Sequence, residues 1–234
     1  MLNNLSYLYN FYKFSYLDYR LLGFFSGFPN RIFTHEIAER LCDELLKRDS
    51  IVFVSAWPED YKRNDIDSDD MHGLFEDCNI PFSRHDVIDN RMEASHATRL
   101  IHEASCVFLM GGYPKLQLEL IRNKNLDAAI RNADAAVLGL SAGAINMAKR
   151  SLDTKESPIP YDGLGLADIT VKPHFELENR QVLSDLLQIS MELPICAMED
   201  DSAIFVAGDR ISHTGQIHWV NKGKIGPLSR GNLL

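Results

Sequence analysis

Residues 135–148, AAVLGLSAGAINMA, decide how this chain is read. The first six are an unbroken apolar run of strand length, and residues 144–148 suit a helix. Between them stands Gly139-Leu140-Ser141-Ala142-Gly143, small residues that allow a sharp turn. A buried strand feeding a helix through such a turn is the repeating unit of a parallel sheet covered on both faces.

The same texture recurs upstream. Residues 51–55 (IVFVS) and 106–110 (CVFLM) read as buried strands, and residues 20–25 form a shorter apolar run ending at Ser26-Gly27. Thr34 suits the N-cap of a helix whose Ile37, Leu41 and Leu45 recur at spacing four. Residues 95–103 and 116–130 also read as helical, and residues 57–70 as a polar loop. Past Ser151, residues 152–168 carry Pro158, Pro160, Gly163 and Gly165 and read as an irregular loop. A helix over 177–191 follows, then short strands at 195–198, 203–207, 211–213 and 216–220, expected as an antiparallel meander at the sheet edge. The expected fold is α/β: a doubly wound, mostly parallel sheet with helices on both faces and antiparallel strands near the C-terminus. Residues 20–234 read as a single domain.

Residues 1–19 stand apart. They carry Tyr7, Tyr9, Phe11, Tyr12, Phe14, Tyr16 and Tyr19 with few charges. Early positive charge, an aliphatic core and a small-residue cleavage site are missing, so the stretch does not read as an export signal. It reads as an extension that packs on the domain or mediates self-association as a homodimer.

Composition narrows the function. The 234 residues hold 24 Lys and Arg against 33 Asp and Glu, a net charge of −9, which argues against a nucleic-acid binder. No run of 18 apolar residues suggests a membrane span. Cys42, Cys78, Cys106 and Cys196 are scattered, without metal-ligand spacing or a disulfide framework. A cytoplasmic protein with no metal and no cofactor is expected.

The turn at Ser141 has the context of a nucleophile elbow: strand before, helix after, glycines two residues to either side. The amide of Ala142, at the start of the helix, is placed to donate to an oxyanion. A serine needs a base. Pro173-His174-Phe175 follows a β-like run at 169–172, which makes His174 the best-placed of the histidines. Gly111-Gly112 ends the preceding buried strand, where a backbone amide can supply a second oxyanion donor. Taken singly, Ser141 is also read as a helix cap and His174 as a hydrogen-bonded core residue.

These pieces together resemble the peptidase E (aspartyl dipeptidase) and cyanophycinase family of serine peptidases. The resemblance spans about residues 20–220, and it rests on 108–112 followed by Gln117-Leu118, on 139–144, on 163–166 and on Pro173-His174-Phe175. It implies a class I glutamine-amidotransferase-like, flavodoxin-like fold and cleavage of short peptides, as a dipeptidase or isopeptidase, through an acyl-enzyme. It implies Ser141 as nucleophile, His174 as base, and an acid in the loop after the nucleophile helix. That nominates Glu156, with Asp153 and Asp162 as rivals. Gly112 and Ala142 are expected to supply the oxyanion amides, and Gly111 and Tyr113 to line the substrate site. Tyr113-Pro114-Lys115 replaces the polar turn usual in the family, so substrate preference is expected to differ. The turn Glu199-Asp200-Asp201 matches acidic positions near the substrate, where Asp200 and Asp201 would hold a positive group; read alone it is a solvated hairpin turn. The competing readings are an esterase and a non-catalytic member that binds a small metabolite.

Overall fold

A computed structural model describes residues 20–229 and Asn232. The expectation for residues 1–19 falls outside the described residues. In chain order the strands are β1 (Leu21–Phe25), β2 (Ile51–Val54), β3 (His85–Ile88), β4 (Cys106–Leu109) and β5 (Ala136–Leu140). They continue with β6 (Arg150–Ser151), β7 (Tyr161–Asp162), β8 (Val171–Lys172), β9 (Ile195–Met198) and β10 (Ala203–Ala207). β11 (Arg210–Thr214), β12 (Ile217–Asn221) and β13 (Lys224–Pro227) complete the set.

The main sheet has seven strands in the order β11-β10-β1-β5-β4-β2-β3. β1, β5, β4, β2 and β3 pair in parallel, while β10 and β11 are antiparallel beside β1. Read from the far edge, the parallel part runs β3-β2-β4-β5-β1. That is the 2-1-3-4-5 flavodoxin order, with the first strand of this chain in the fifth place.

Alternate residues of each buried strand serve opposite faces. Phe25, Phe53, Phe108 and Leu138 meet Ile37 and Leu41 of the helix His35–Glu44 and Phe75 of the helix Tyr61–Asp77. Phe24, Val54, Leu109 and Val137 meet Ile101, Leu118, Ile121 and Ile145 from the helices on the other face. The chain thus leaves β1 on one face and β5 on the other, although the two strands are neighbours. Their C-terminal ends flank a crevice at a topological switch point, where α/β sheets place their ligands.

Three expectations change. Residues 57–70 are not a loop throughout, because the helix Tyr61–Asp77 begins where Asp60 accepts from the Arg63 amide (3.2 Å). Its N-terminal half docks through polar groups, Asn64 bonding both Ser55 and Asp89, so it carries no apolar stripe to read. The helical region 116–130 is two helices, Pro114–Asn123 and Asp127–Asn132, parted at Asn125 with φ 56°. The C-terminal strands are shared between two sheets. β10 and β11 extend the main sheet next to β1, while β8, β9, β12 and β13 form a second, four-stranded sheet in the order β13-β12-β9-β8. Among the described residues no helix is long and apolar enough to cross a membrane.

Candidate active site

Ser141 sits one residue beyond β5 at φ 51° and ψ −102°, a conformation that L residues avoid. The turn is fixed from both sides. The Ser141 amide donates to the Phe25 carbonyl of β1 (2.9 Å), and its carbonyl accepts from the Ile145 amide (3.0 Å). The neighbouring glycines are there because nothing larger fits. A Cβ on Gly143 would fall 2.1 Å from the Leu109 carbonyl oxygen, and one on Gly139 would fall 2.6 Å from the Gly143 backbone.

His174 approaches from the second sheet. β8 and β9 are parallel neighbours, with Lys172 opposite Ala197, so the chain segments leaving their C-terminal ends run side by side. One carries His174, at φ 53°, and the other carries Asp200. His174 Nε2 lies 2.8 Å from Ser141 Oγ, and Nδ1 lies 2.7 Å from Asp200 Oδ1. A carboxylate can only accept, so Nδ1 carries the proton and Nε2 is free to accept from the serine hydroxyl. Both side chains are 38% exposed, so the dyad faces solvent.

Ser26, at the end of β1, ties these parts together. Its hydroxyl accepts from the His174 amide (2.8 Å) and lies within 3.0 Å of the Met198 carbonyl and 3.3 Å of Asp200 Oδ1. Gly27 beside it is the floor on which the pair rests. A Cβ there would fall 2.5 Å from both Asp200 Oδ1 and His174 Cε1. Neither residue was singled out for the site by sequence reading, although the Ser26-Gly27 strand end was visible.

The acids nominated in the loop after the helix Ala142–Met147 have partners other than His174. The Glu156 carboxylate accepts from Lys115 Nζ (3.0 Å) on the surface. Asp162 pairs with Arg150, and Asp153 accepts from the Lys155 amide (3.1 Å). Asp200, expected to hold substrate, instead bonds His174. Asp201 stays beside it at φ 60°, its amide donating to the Gly27 carbonyl (2.8 Å), and burial together with the Asp200 charge raises its carboxyl above the usual range.

The Gly111-Gly112 turn follows β4, next to Ser141. Gly112 has φ 143°, and Trp57 crowds it so closely that a Cβ would meet Trp57 Nε1 at 2.4 Å. Tyr113 packs edge-on against the same indole at 4.4 Å between centroids. Among the described residues no backbone carbonyl takes the amide of Gly112 or of Ala142.

Two grooves flank the serine and histidine. One, of about 500 Å³, runs from Leu140, Gly111 and Phe28 to the helix Tyr61–Asp77, with Asp67, Asp69, Asp70, Asp77 and Arg31 on its walls. The other, of about 390 Å³, lies between His174 and Gln216 and carries Glu176, Glu178, Glu199 and Asp200. Among the charged groups on their walls, carboxylates outnumber cations in both. Among the described residues no group of three or more His, Cys, Asp or Glu side chains is placed to hold a metal ion.

The arrangement has known relatives. The model of peptidase family S51 matches residues 36–214. The crystal structure of a peptidase from an acI-B1 Actinobacterium is similar at a TM-score of 0.67 and 15% identity, over 91% of this chain and 95% of that one. A candidate peptidase E protein from Listeria monocytogenes EGD-e is similar at a TM-score of 0.62 and 16% identity, over 84% of this chain and 98% of that one. No curated protein matches the chain. At such identities the solved structures speak for the fold, and the family match, which spans most of the chain, speaks for descent. This chain belongs to peptidase family S51 and is a serine-type peptidase.

Proposed function

We propose that the chain hydrolyses short peptides through an acyl-enzyme on Ser141, with His174 as general base and Asp200 as the acid that orients it. The observation that carries this reading is the unbroken chain of contacts from Ser141 Oγ to His174 Nε2 (2.8 Å) and from Nδ1 to Asp200 (2.7 Å). As Oγ bonds to the substrate carbonyl carbon, its proton passes to Nε2, and the imidazolium is stabilised by the Asp200 carboxylate. The carbonyl oxygen, now an oxyanion, takes hydrogen bonds from the Gly112 and Ala142 amides. His174 then gives the proton to the departing amine as the C–N bond breaks. Water, deprotonated by His174, hydrolyses the ester.

Substrate charge follows from the walls. Carboxylates in both grooves repel acidic side chains and favour a free α-ammonium or a basic side chain; each desolvated charge-assisted contact contributes about 1.5–3 kcal/mol. A dipeptide panel in free and N-acetylated forms tests this directly. Cleavage of free peptides, fastest with basic residues, is expected. Equal turnover of acetylated forms, or a preference for aspartyl peptides, would remove the role given to the grooves. Turnover confined to activated esters would replace peptidase with esterase.

A further inference from the structure

Behind the Gly111-Gly112 turn lies a chain of amides that the mechanism above does not use. Gln117 and Asn146 have no exposed surface. Gln117 Nε2 donates to the Val54 carbonyl (2.9 Å) and to the Met110 carbonyl (3.0 Å), the last residues of or just past β2 and β4. Its Oε1 accepts from Asn146 Nδ2 (3.0 Å), which also donates to the Pro114 carbonyl (2.8 Å). Asn146 Oδ1 lies 3.4 Å from the Tyr161 hydroxyl. Burial raises the Tyr161 phenol well above its ordinary range, which keeps that hydroxyl protonated as a donor.

Every donor on the two amides is used. Buried polar groups so fully paired fix geometry, because any displacement leaves one of them unsatisfied in a dry interior. What they join matters more. Met110 directly precedes Gly111 and Gly112, Pro114 directly follows Tyr113, and Asn146 belongs to the helix Ala142–Met147 that begins at the nucleophile turn. The residues on either side of the glycine turn are therefore bonded to the nucleophile's own helix, without any contact to Ser141, His174 or Asp200 being needed.

We infer that Gln117 and Asn146 are positioning residues that hold the Gly112 amide at oxyanion distance from Ser141. The inference rests on the reading of Ser141 as an acyl-transfer nucleophile. An apolar core would hold the turn against the helix by packing, which tolerates small slides; two amides bonded to three carbonyls and to each other do not. Loss of alignment by about an ångström costs on the order of 100-fold in rate.

The test is the rate at which a fluorophosphonate modifies Ser141, together with kcat and KM on the best peptide, in Gln117→Met and Tyr161→Phe. A phosphonyl oxygen needs the oxyanion donors as the peptide carbonyl does. Gln117→Met is expected to slow labelling and lower kcat in parallel by about 10- to 100-fold with KM changed less than about threefold, while the His174 imidazole resonances still report its bond to Asp200. Tyr161→Phe, which removes only the outer link and keeps the ring, is expected to lower both rates by about two- to fivefold. Wild-type labelling at Ser141 with unchanged rates in both variants would overturn the inference while leaving the proposed function intact. A rise in KM without loss of kcat would overturn it too, assigning Gln117 to binding. Absence of labelling in the wild-type protein would instead remove the reading on which it rests.

Discussion

Ser141 is held in a backbone conformation, φ 51° and ψ −102°, that costs a non-glycine residue about 1–3 kcal/mol. Substitution by glycine should therefore raise stability while removing the hydroxyl proposed as nucleophile. Ser141→Gly is expected to gain about 1 kcal/mol in urea unfolding with no turnover, whereas Ser141→Ala loses turnover and stays within about 0.5 kcal/mol of the parent. A Gly variant less stable than the Ala variant would show that the surrounding bonds leave no strain to release. The identity of the acid is a sharper matter. Asp200→Asn should lower kcat by about three to four orders of magnitude, because an amide at Nδ1 favours the wrong tautomer. Glu156→Gln, in an exposed pair with Lys115, should change it less than about twofold. The reverse ranking in steady-state kinetics would restore the loop acid. Ser141 and His174 were legible because each announces itself locally, one by glycines around a strand end, the other by a strand-like run before it. Asp200 was not legible as the partner of His174. Its place beside His174 depends on the parallel pairing of β8 with β9, and β8 is two residues long.

At the scale of elements, the strands were easy to read and one helix was not. Four of the five parallel strands are continuous apolar runs, and burial on both faces is what makes them so. β3 (HDVI) is only half-buried at the sheet edge and gives no such run. The helix Tyr61–Asp77 docks its first turns through Asn64, whose partners lie on other segments, while the buried Ser68 hydroxyl bonds back to Asp65, so periodicity had nothing to report. Of the small strands after residue 194 all but Lys224–Pro227 were found, but their division between two sheets is a property of long-range pairing alone. Close approach of elements gives a further prediction. The helix Ala142–Met147 touches β4 so tightly that a methyl on Gly143 would overlap the Leu109 carbonyl, a backbone atom that cannot rotate away. Gly143→Ala is expected to cost about 3 kcal/mol and to abolish turnover, since either the helix or the strand end must retreat. A variant with full stability by urea unfolding would mean that the contact yields without cost.

For the molecule as a whole, one buried cation links folding to pH. Lys172 precedes the His174 segment and is almost fully buried, its ammonium donating to the Pro173 carbonyl (2.6 Å). Burial, aided by the Lys155 charge, lowers its pKa to about 8. The unfolded chain, with an ordinary lysine near 10.4, then holds more protons than the folded one between those values, so stability rises as pH climbs through that window. The difference in unfolding free energy between the parent and Lys172→Met should shift by about 3 kcal/mol in the parent's favour from pH 7.5 to 10.5. A constant difference would place the ammonium in contact with water. The two sheets meet at one point: the main sheet presents Ser141 at its switch point, and the second presents His174 and Asp200. That junction is tested most directly by locating the adduct formed with a fluorophosphonate, by mass spectrometry of the peptide that contains Ser141, in the parent and in Asp200→Asn. A single adduct on Ser141, formed far more slowly in the Asn variant, is the predicted result. An adduct on another residue, or equal rates in the two proteins, would contradict it.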